Sequence, residues 1–362
     1  MRRKDGQPKL KSLRAKARIQ WGFRNNPHLS EILNPALVPG NETTHHFSCV
    51  SLFSGCGGLD LGFLGGFRIF GQLHAALPTR ILAAYDFDDQ CIETYRLNLG
   101  PHGIRADLSL MPADKIPAAQ VLLGGFPCQD FSSCGPKKGL EGKRGRLYEV
   151  MASYMQLHKP LIVIGENVPF FEKLHDGVIM RTVIKDFEKC GYRFNVWRIR
   201  CQDFGLPQSR TRIFLVGVRT DLSGRPMEPT PPIFTPRRTI DQAIDDLLDI
   251  RDETIPNQSQ YFVATKATKG AGQGDQKCQA GDISFTIRAN ARGRIQFHHS
   301  LDRRLTVREC ARLQSFPDEF VFPHGTQTNL SQIGNAVPPI IGHLVGQSVV
   351  RYLTAATREM AA

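Results

Sequence analysis

Short apolar runs alternate with segments of helical period along most of this chain, and several of the runs stop at a glycine or an acid. Ser48-Cys49-Val50-Ser51-Leu52-Phe53 leads into a helix starting at Leu59-Asp60-Leu61-Gly62-Phe63. Ile81–Asp86 precedes a helix over Asp89–Asn98, with Cys91, Tyr95 and Leu99 on one face. Gln120-Val121-Leu122-Leu123 stops at Gly124, and a helix over Tyr148–His158 comes later. Leu161-Ile162-Val163-Ile164 is followed by a helix over Val178–Cys190, then by the alternating segment Arg193–Arg200 and the apolar Arg212–Val218. Short continuous apolar runs are strands covered on both faces. Strands alternating with helices predict an α/β fold with a mostly parallel sheet. In such sheets ligands bind beyond the carboxyl ends of the strands, so the residues that terminate these runs are the first candidates for chemistry.

The alternation lapses from about Thr220 to Arg304, where Pro, Gly, Gln and Thr accumulate and only Asp241–Leu248 reads as a short helix. A smaller, loop-rich unit is expected there. Periodicity returns at Thr306–Leu313, with Thr306 as helix cap and Glu309 at the capping-box position. An apolar helix over Pro338–Ala356 closes the chain. Residues 1–47 form a basic arm, which opens with Arg2, Arg3, Lys4, Lys9, Lys11, Arg14, Lys16 and Arg18 against one acid, Asp5. The partition is therefore an arm (1–47), a main domain (48–219), an inserted unit (220–304) and a return to the main domain (305–362). The 362 residues suffice for one large core and a smaller one. A net charge of +12 suits a polyanionic partner. Nine cysteines without a Cys-x-x-Cys pair or a zinc-like His/Cys spacing point to a reduced, cytoplasmic protein without metal. No run is long and apolar enough for a membrane span, and the basic N-terminus lacks the apolar core of a secretory signal.

The candidate chemistry sits on the turns. In Gly124-Gly125-Phe126-Pro127-Cys128-Gln129-Asp130-Phe131-Ser132, two glycines allow a sharp turn and Pro127 stiffens it, so a thiol is presented past a strand end. Phe53-Ser54-Gly55-Cys56-Gly57-Gly58 is a glycine-rich turn before a helix, which can admit a phosphate, a dinucleotide or no ligand. Its spacing is not Gly-x-Gly-x-x-Gly, which weighs against NAD. Asp86 can take both hydroxyls of a ribose, Phe87 can stack on a purine and Asp107 can meet an amino group; each alone is also an ordinary loop acid or ring. Glu166, directly after an apolar run, is placed to hold or donate a proton, or merely to cap a loop. In Gln208-Ser209-Arg210-Thr211-Arg212 the strand period of two puts both guanidiniums on one side, fit for a carboxylate, a phosphate or a base oxygen.

Taken in order, these turns with Arg308-Glu-Cys-Ala-Arg-Leu-Gln-Ser-Phe-Pro317 and Gln332-Ile-Gly-Asn-Ala-Val-Pro-Pro339 resemble the DNA (cytosine-5) methyltransferase family of bacterial restriction-modification type, over residues 48–352. The resemblance implies a methyltransferase Rossmann-like mixed sheet with helices on both faces, plus a small loop-rich target-recognition domain. It implies S-adenosylmethionine as methyl donor and a cytosine flipped from double-stranded DNA as acceptor. Cys128 would be the nucleophile, Glu166 the acid on the base, and Arg210 and Arg212 the orienting cations. Phe53, Gly55, Gly57, Gly58, Leu59, Asp86, Phe87, Asp107, Pro127, Leu147 and Asn335 would line the cofactor pocket. Asp130–Arg146 would be a lid, and Gln129, Ser132, Lys137, Lys138 and Arg144 would meet DNA there. Cys134, on that lid, is the rival thiol. In the inserted unit Arg288, Arg292, Arg294 and Gln296, with His298 and His299, form the most basic stretch and are candidates to contact DNA. A monomer working beside a restriction endonuclease is expected. A tRNA methyltransferase, a silent DNA-binding module and an NAD-type oxidoreductase are the alternatives.

Overall fold

The computed structural model describes residues 46–127, 147–233, 237–259, 276–289 and 296–361. Its centre is a sheet ordered β5-β4-β1-β6-β7-β9-β8, built from β1 (Phe47–Leu52), β4 (Thr79–Asp86), β5 (Gly103–Arg105), β6 (Val121–Gly124), β7 (Ile162–Asn167), β8 (Tyr192–Arg200) and β9 (Thr211–Arg219). β5, β4, β1, β6 and β7 run parallel, while β9 pairs antiparallel with both β7 and β8. The sheet is thus mixed, with one reversed strand.

Alternate residues of each strand enter different cores. Cys49, Val121, Leu123, Ile162, Ile164, Phe214 and Val216 join one apolar cluster, with Tyr95 and Leu99 of α2 (Asp89–Leu99), the short helix α1 (Gly58–Leu64) and the long α8 (Pro339–Ala361). Val50, Leu122, Val163, Ile213 and Leu215 join the other, with Met151, Tyr154 and Met155 of α3 (Tyr148–His158) and Val183 and Phe187 of α4 (Val178–Lys189). Both faces are covered, as continuous apolar strands require. α1 lies tight on α8, where a Cβ on Gly62 would come 2.6 Å from Gly342 Cα.

Several elements differ from the sequence-based expectation. β7 extends through Glu166 and Asn167, because β9 continues the ladder as far as Asn167↔Ile213. Ile92, not Cys91, shares the buried face of α2 with Tyr95 and Leu99; Cys91 sits in the first turn, where Asp88 caps Gln90 and Cys91 N–H. α8 runs on to Ala361. The hairpin of β2 (Phe67–Ile69) and β3 (Gln72–His74), the short β5 and helix α7 (Thr326–Asn335) were not anticipated.

In the loop-rich unit the expected helix divides into α5 (Ile240–Ile244) and a 3-10 turn, Asp245–Leu247. Two-residue strands β10 (Gln276–Lys277) and β11 (Gln296–Phe297) pair parallel. Ile240, Ile244, Leu247, Cys278 and Ile287 pack into the same cluster as Val307 and Leu313 of α6 (Val307–Leu313). The predicted capping box is present on α6: Thr306 Oγ1 accepts Glu309 N–H at 2.9 Å, and Glu309 accepts Thr306 N–H at 2.8 Å. Glu309 is fully buried, which alone would cost several kcal/mol. Arg303 offsets this by donating to both carboxylate oxygens, at 2.7 and 2.6 Å. Among the described residues no helix is long and apolar enough to cross a membrane.

Candidate active site

The reversed strand assembles the site. Because β9 runs against β7, its first residues lie beside the last residues of β7, with Glu166↔Phe214 and Asn167↔Ile213 in register. Arg212 therefore reaches Glu166, with Nε 2.7 Å from Oε1. Both residues are buried, at 7 % and 9 % exposure, so their charges are little screened by water. Burial raises the Glu166 carboxyl above its usual range, and Arg212 and then Arg210 pull it partly back.

The next strand end, that of β6, carries the Gly125–Pro127 turn. Asn167 Nδ2 donates to Phe126 O at 3.2 Å, and the Phe126 ring packs edge-on against Phe171 and Phe187. A Cβ on Gly125 would lie 3.3 Å from Glu166 Oε2 and 4.0 Å from Phe53 O. That position touches the acid on one side and the glycine-rich turn of β1 on the other. Cys128, the residue after this turn, lies outside the described residues, as do Gln129, Ser132, Cys134, Lys137, Lys138, Arg144 and the rest of the expected lid.

The β1 and β4 ends form the other half. Phe53 adopts a left-handed φ of 59°. Ser54 N–H donates to Tyr85 O, and Asp86 accepts Gly55 N–H at 2.9 Å and Asp88 N–H at 3.0 Å. Burial raises the Asp86 carboxyl. The glycines differ in purpose. A Cβ on Gly57 would overlap Leu99, one on Gly58 would overlap Val337 O, and one on Gly55 would meet none of the described residues within 4 Å. Leu59 is buried at the start of α1, whereas Phe87 beside Asp86 is 66 % exposed. Pro127 and Leu147 are partly buried, and Asn335, at the end of α7, is exposed. Asp107 is exposed and folds back on its own turn, accepting Ser109 N–H and Oγ–H.

Asp60 was not singled out in the sequence. It is fully buried beneath the turn and accepts Ser51 Oγ–H at 2.7 Å and Tyr95 O–H at 2.8 Å. Burial pushes its carboxyl up to about 6 against those two hydrogen bonds.

Arg210 and Arg212 go to different partners. Arg210 donates to the carbonyls of Ile287 (2.9 Å), Gly334 (2.8 Å) and Ala336 (3.0 Å). Burial, with Arg212 beside it, lowers its proton affinity well below the ordinary value, yet a guanidinium stays charged at neutral pH and is matched here by carbonyl dipoles.

Of the expected DNA-facing residues, Arg288 is exposed, and Arg292 and Arg294 lie outside the described residues. Gln296 Nε2 donates to Phe285 O and Thr286 O, so its amide props up the backbone beside Arg288. His298 and His299 do not add to a basic surface. Both are buried; burial, then Arg303, lowers His298 to about 3, and His299 Nε2 bonds Asp245 at 2.6 Å.

The parallel order β4-β1-β6-β7 sets a glycine-rich, acid-ended turn beside the Gly125 turn and that turn beside a buried acid–arginine pair, all on one sheet edge. Residues 47–351 match the family of C-5 cytosine-specific DNA methylases. The chain belongs to that family. As a DNA (cytosine-5) methyltransferase it is 35 % identical over 329 residues to the type II methyltransferase M.NgoFVII of Neisseria gonorrhoeae, covering 83 % of this chain and 85 % of that one. It is 29 % identical to the type II methyltransferase M.BsuRI of Bacillus subtilis, covering 85 % and 80 %. Among solved structures, a DNA modification methyltransferase encoded within an E. coli prophage superposes with a TM-score of 0.67 at 21 % identity, covering 85 % of this chain and 99 % of that one. The S. pombe Dnmt2 methyltransferase superposes at 0.59 and 18 % identity, covering 86 % and 99 %. The mixed sheet of this enzyme is thus the fold of known methyltransferases.

Proposed function

We propose that the protein methylates carbon 5 of a cytosine within a specific double-stranded DNA sequence, using S-adenosylmethionine, a flipped base and the Cys128 thiolate, as the modification enzyme of a restriction-modification system. The observation that carries the reading is the Glu166–Arg212 pair packed against Gly125, three residues before Cys128. Carbon 5 of cytosine is too weak a nucleophile unaided. Addition of the Cys128 thiolate to carbon 6 makes carbon 5 enamine-like, and a proton or hydrogen bond from Glu166 at ring nitrogen 3 draws electrons the same way. Once carbon 5 has taken the methyl group, loss of its proton expels the thiolate and restores the ring. Arg212 holds Glu166 in place, and its cation helps keep Cys128 ionised.

The cofactor suits the residues present. Among the described residues nothing lies within 4 Å of a Cβ on Gly55 and Ser54 Oγ is buried without a hydrogen-bond partner, while Phe87 offers an exposed ring beside Asp86. Phe53, Gly55, Leu59, Asp86, Phe87, Asp107, Pro127, Leu147 and Asn335 would hold the donor, with Gly57 and Gly58 letting the turn pack beneath it. When bound, S-adenosylmethionine supplies an electrophilic methyl group. Residues 220–304 would read the sequence, and the type II relatives support the restriction-modification role. The enzyme is proposed to act as a cytoplasmic monomer. Labelled S-adenosylmethionine with mixed-sequence DNA should yield 5-methylcytosine at one sequence. Unlabelled DNA, or label in RNA instead, would overturn the reading.

A further inference from the structure

We infer that Arg210 is a positioning residue that locks the recognition segment around Ile287 to the turn around Asn335, so that sequence discrimination depends on it. The inference rests on the reading that residues 220–304 recognise DNA and that Asn335 borders the cofactor.

Both backbone groups of Ile287 are held by side chains that precede β9. Its N–H donates to Gln208 Oε1 at 2.9 Å, and its carbonyl accepts from Arg210 at 2.9 Å. The segment is further laced to this part of the chain by Ser209 N–H to Ser284 O (2.7 Å) and Ser284 N–H to Pro207 O (3.0 Å), and by the Thr286 hydroxyl on Ser209 O. On its other side the Arg210 guanidinium binds the carbonyls of Gly334 and Ala336, the two residues that flank Asn335. The circuit closes through Gln314, whose amide donates to Ala336 O at 2.7 Å and accepts from Gln208 at 2.7 Å. Gly334 lets the parts meet: a Cβ there would overlap Ala289 N and the Arg288 carbonyl carbon.

Arg210 is 2 % exposed, so no DNA group can displace these carbonyls without opening the junction. A planar fork can serve three carbonyls in two directions, whereas an ammonium cannot reproduce that geometry. Arg288, exposed, leaves the backbone one residue beyond the clamp. Where its guanidinium falls on a base edge or a phosphate is set by how firmly Ile287 is held. Base discrimination through such a contact is geometric and is lost when the donor shifts.

The test uses the full-length enzyme. The target site and its single-mismatch neighbours are first defined by wild-type methylation of mixed-sequence DNA. The ratio of kcat/KM for the target over a mismatched site is then compared in wild type, Arg210→Lys and Gly334→Ala. S-adenosylhomocysteine binding is followed by calorimetry, and circular dichroism checks folding. The expected result is a fall in the ratio of about tenfold or more in both variants, with weaker S-adenosylhomocysteine binding in Arg210→Lys. Equal slowing at target and mismatched sites, with the ratio intact, would overturn the assignment and place Arg210 on the reacting base. If Arg210→Lys fails to fold, Gly334→Ala decides by the same ratio. A wild type that labels no DNA at all overturns the underlying reading instead.

Discussion

Glu166 and Arg212 meet across the antiparallel pairing of β7 with β9, Oε1 to Nε at 2.7 Å, in a pocket that leaves their side chains 11 % and 9 % exposed. A paired buried charge is tolerated only while its partner remains, so the two substitutions have different signatures. Glu166→Gln keeps the shape and removes the proton chemistry. Its kcat should fall about 10²–10⁴-fold, with S-adenosylhomocysteine affinity retained by calorimetry. Arg212→Met strands the carboxylate and should also destabilise the fold, by about 3–5 kcal/mol in urea unfolding. A Glu166→Gln enzyme with wild-type single-turnover rate would remove the acid from the mechanism.

Cys128→Ser should stop methyl transfer while DNA binding persists, and Cys134→Ser should transfer at a rate near wild type. Single-turnover labelling with each variant checks the pair. Transfer surviving in Cys128→Ser would move the nucleophile elsewhere.

Gly55 and Gly57 both hold left-handed φ angles, 56° and 92°, but only Gly57 is hemmed in by Leu99 and Tyr95. Gly57→Ala should lower stability by about 1–3 kcal/mol from strain, with further loss from overlap. Gly55→Ala carries the same left-handed strain, but its methyl meets no described residue within 4 Å, so it should lower the melting temperature less than Gly57→Ala does and weaken S-adenosylhomocysteine binding. Melting curves and calorimetry on both variants separate the roles; identical behaviour would contradict the division.

The pH response of Asp60 has a definite sign. Its folded carboxyl titrates at about 6 rather than 3.8, so the folded state holds the proton more tightly than the unfolded chain does. The stability it confers is complete below the unfolded value and is lost as pH rises through the folded one. A shift of this size corresponds to roughly 3 kcal/mol between about pH 4 and 7. Wild type minus Asp60→Asn, measured by urea unfolding across that range, should decline by an amount of that order. A flat difference would mean that Asp60 stays ionised when folded.

The strands and long helices could be read because continuous apolar runs and a 3.6-residue period survive without tertiary context. The direction of β9 could not. Nothing in Arg212–Val218 says which way the strand enters the sheet, and only its reversal brings Arg212 to Glu166. Helix α7 escaped notice because Thr326–Asn335 is largely polar, and its start is tied down from outside, by Asn329 on the Phe322 and His324 carbonyls. The burial of Asp60 could not be read either, because its partners lie nine residues back in Ser51 and thirty-five residues on in Tyr95. His298 and His299 were counted by residue type as basic, and burial keeps them from the surface, while Gln296, partly buried, turns its amide to the Phe285 and Thr286 carbonyls.

The reversal of β9 also decides where variation can enter. The strand begins at the catalytic edge, with Arg212, and ends at the opposite edge, where Val218 faces Ile162 at the start of β7. The chain therefore leaves the sheet at residue 220 on the side remote from Glu166, and residues 284–287 come back to the catalytic edge, laced to residues 207–210. Changes of length near residue 220 fall away from the acid–arginine pair, whereas a change around Ile287 must still present a backbone amide to Gln208 and a carbonyl to Arg210. The strand that completes the pair thus also carries the chain away from it, and the side chains just before that strand fasten the chain again on its return.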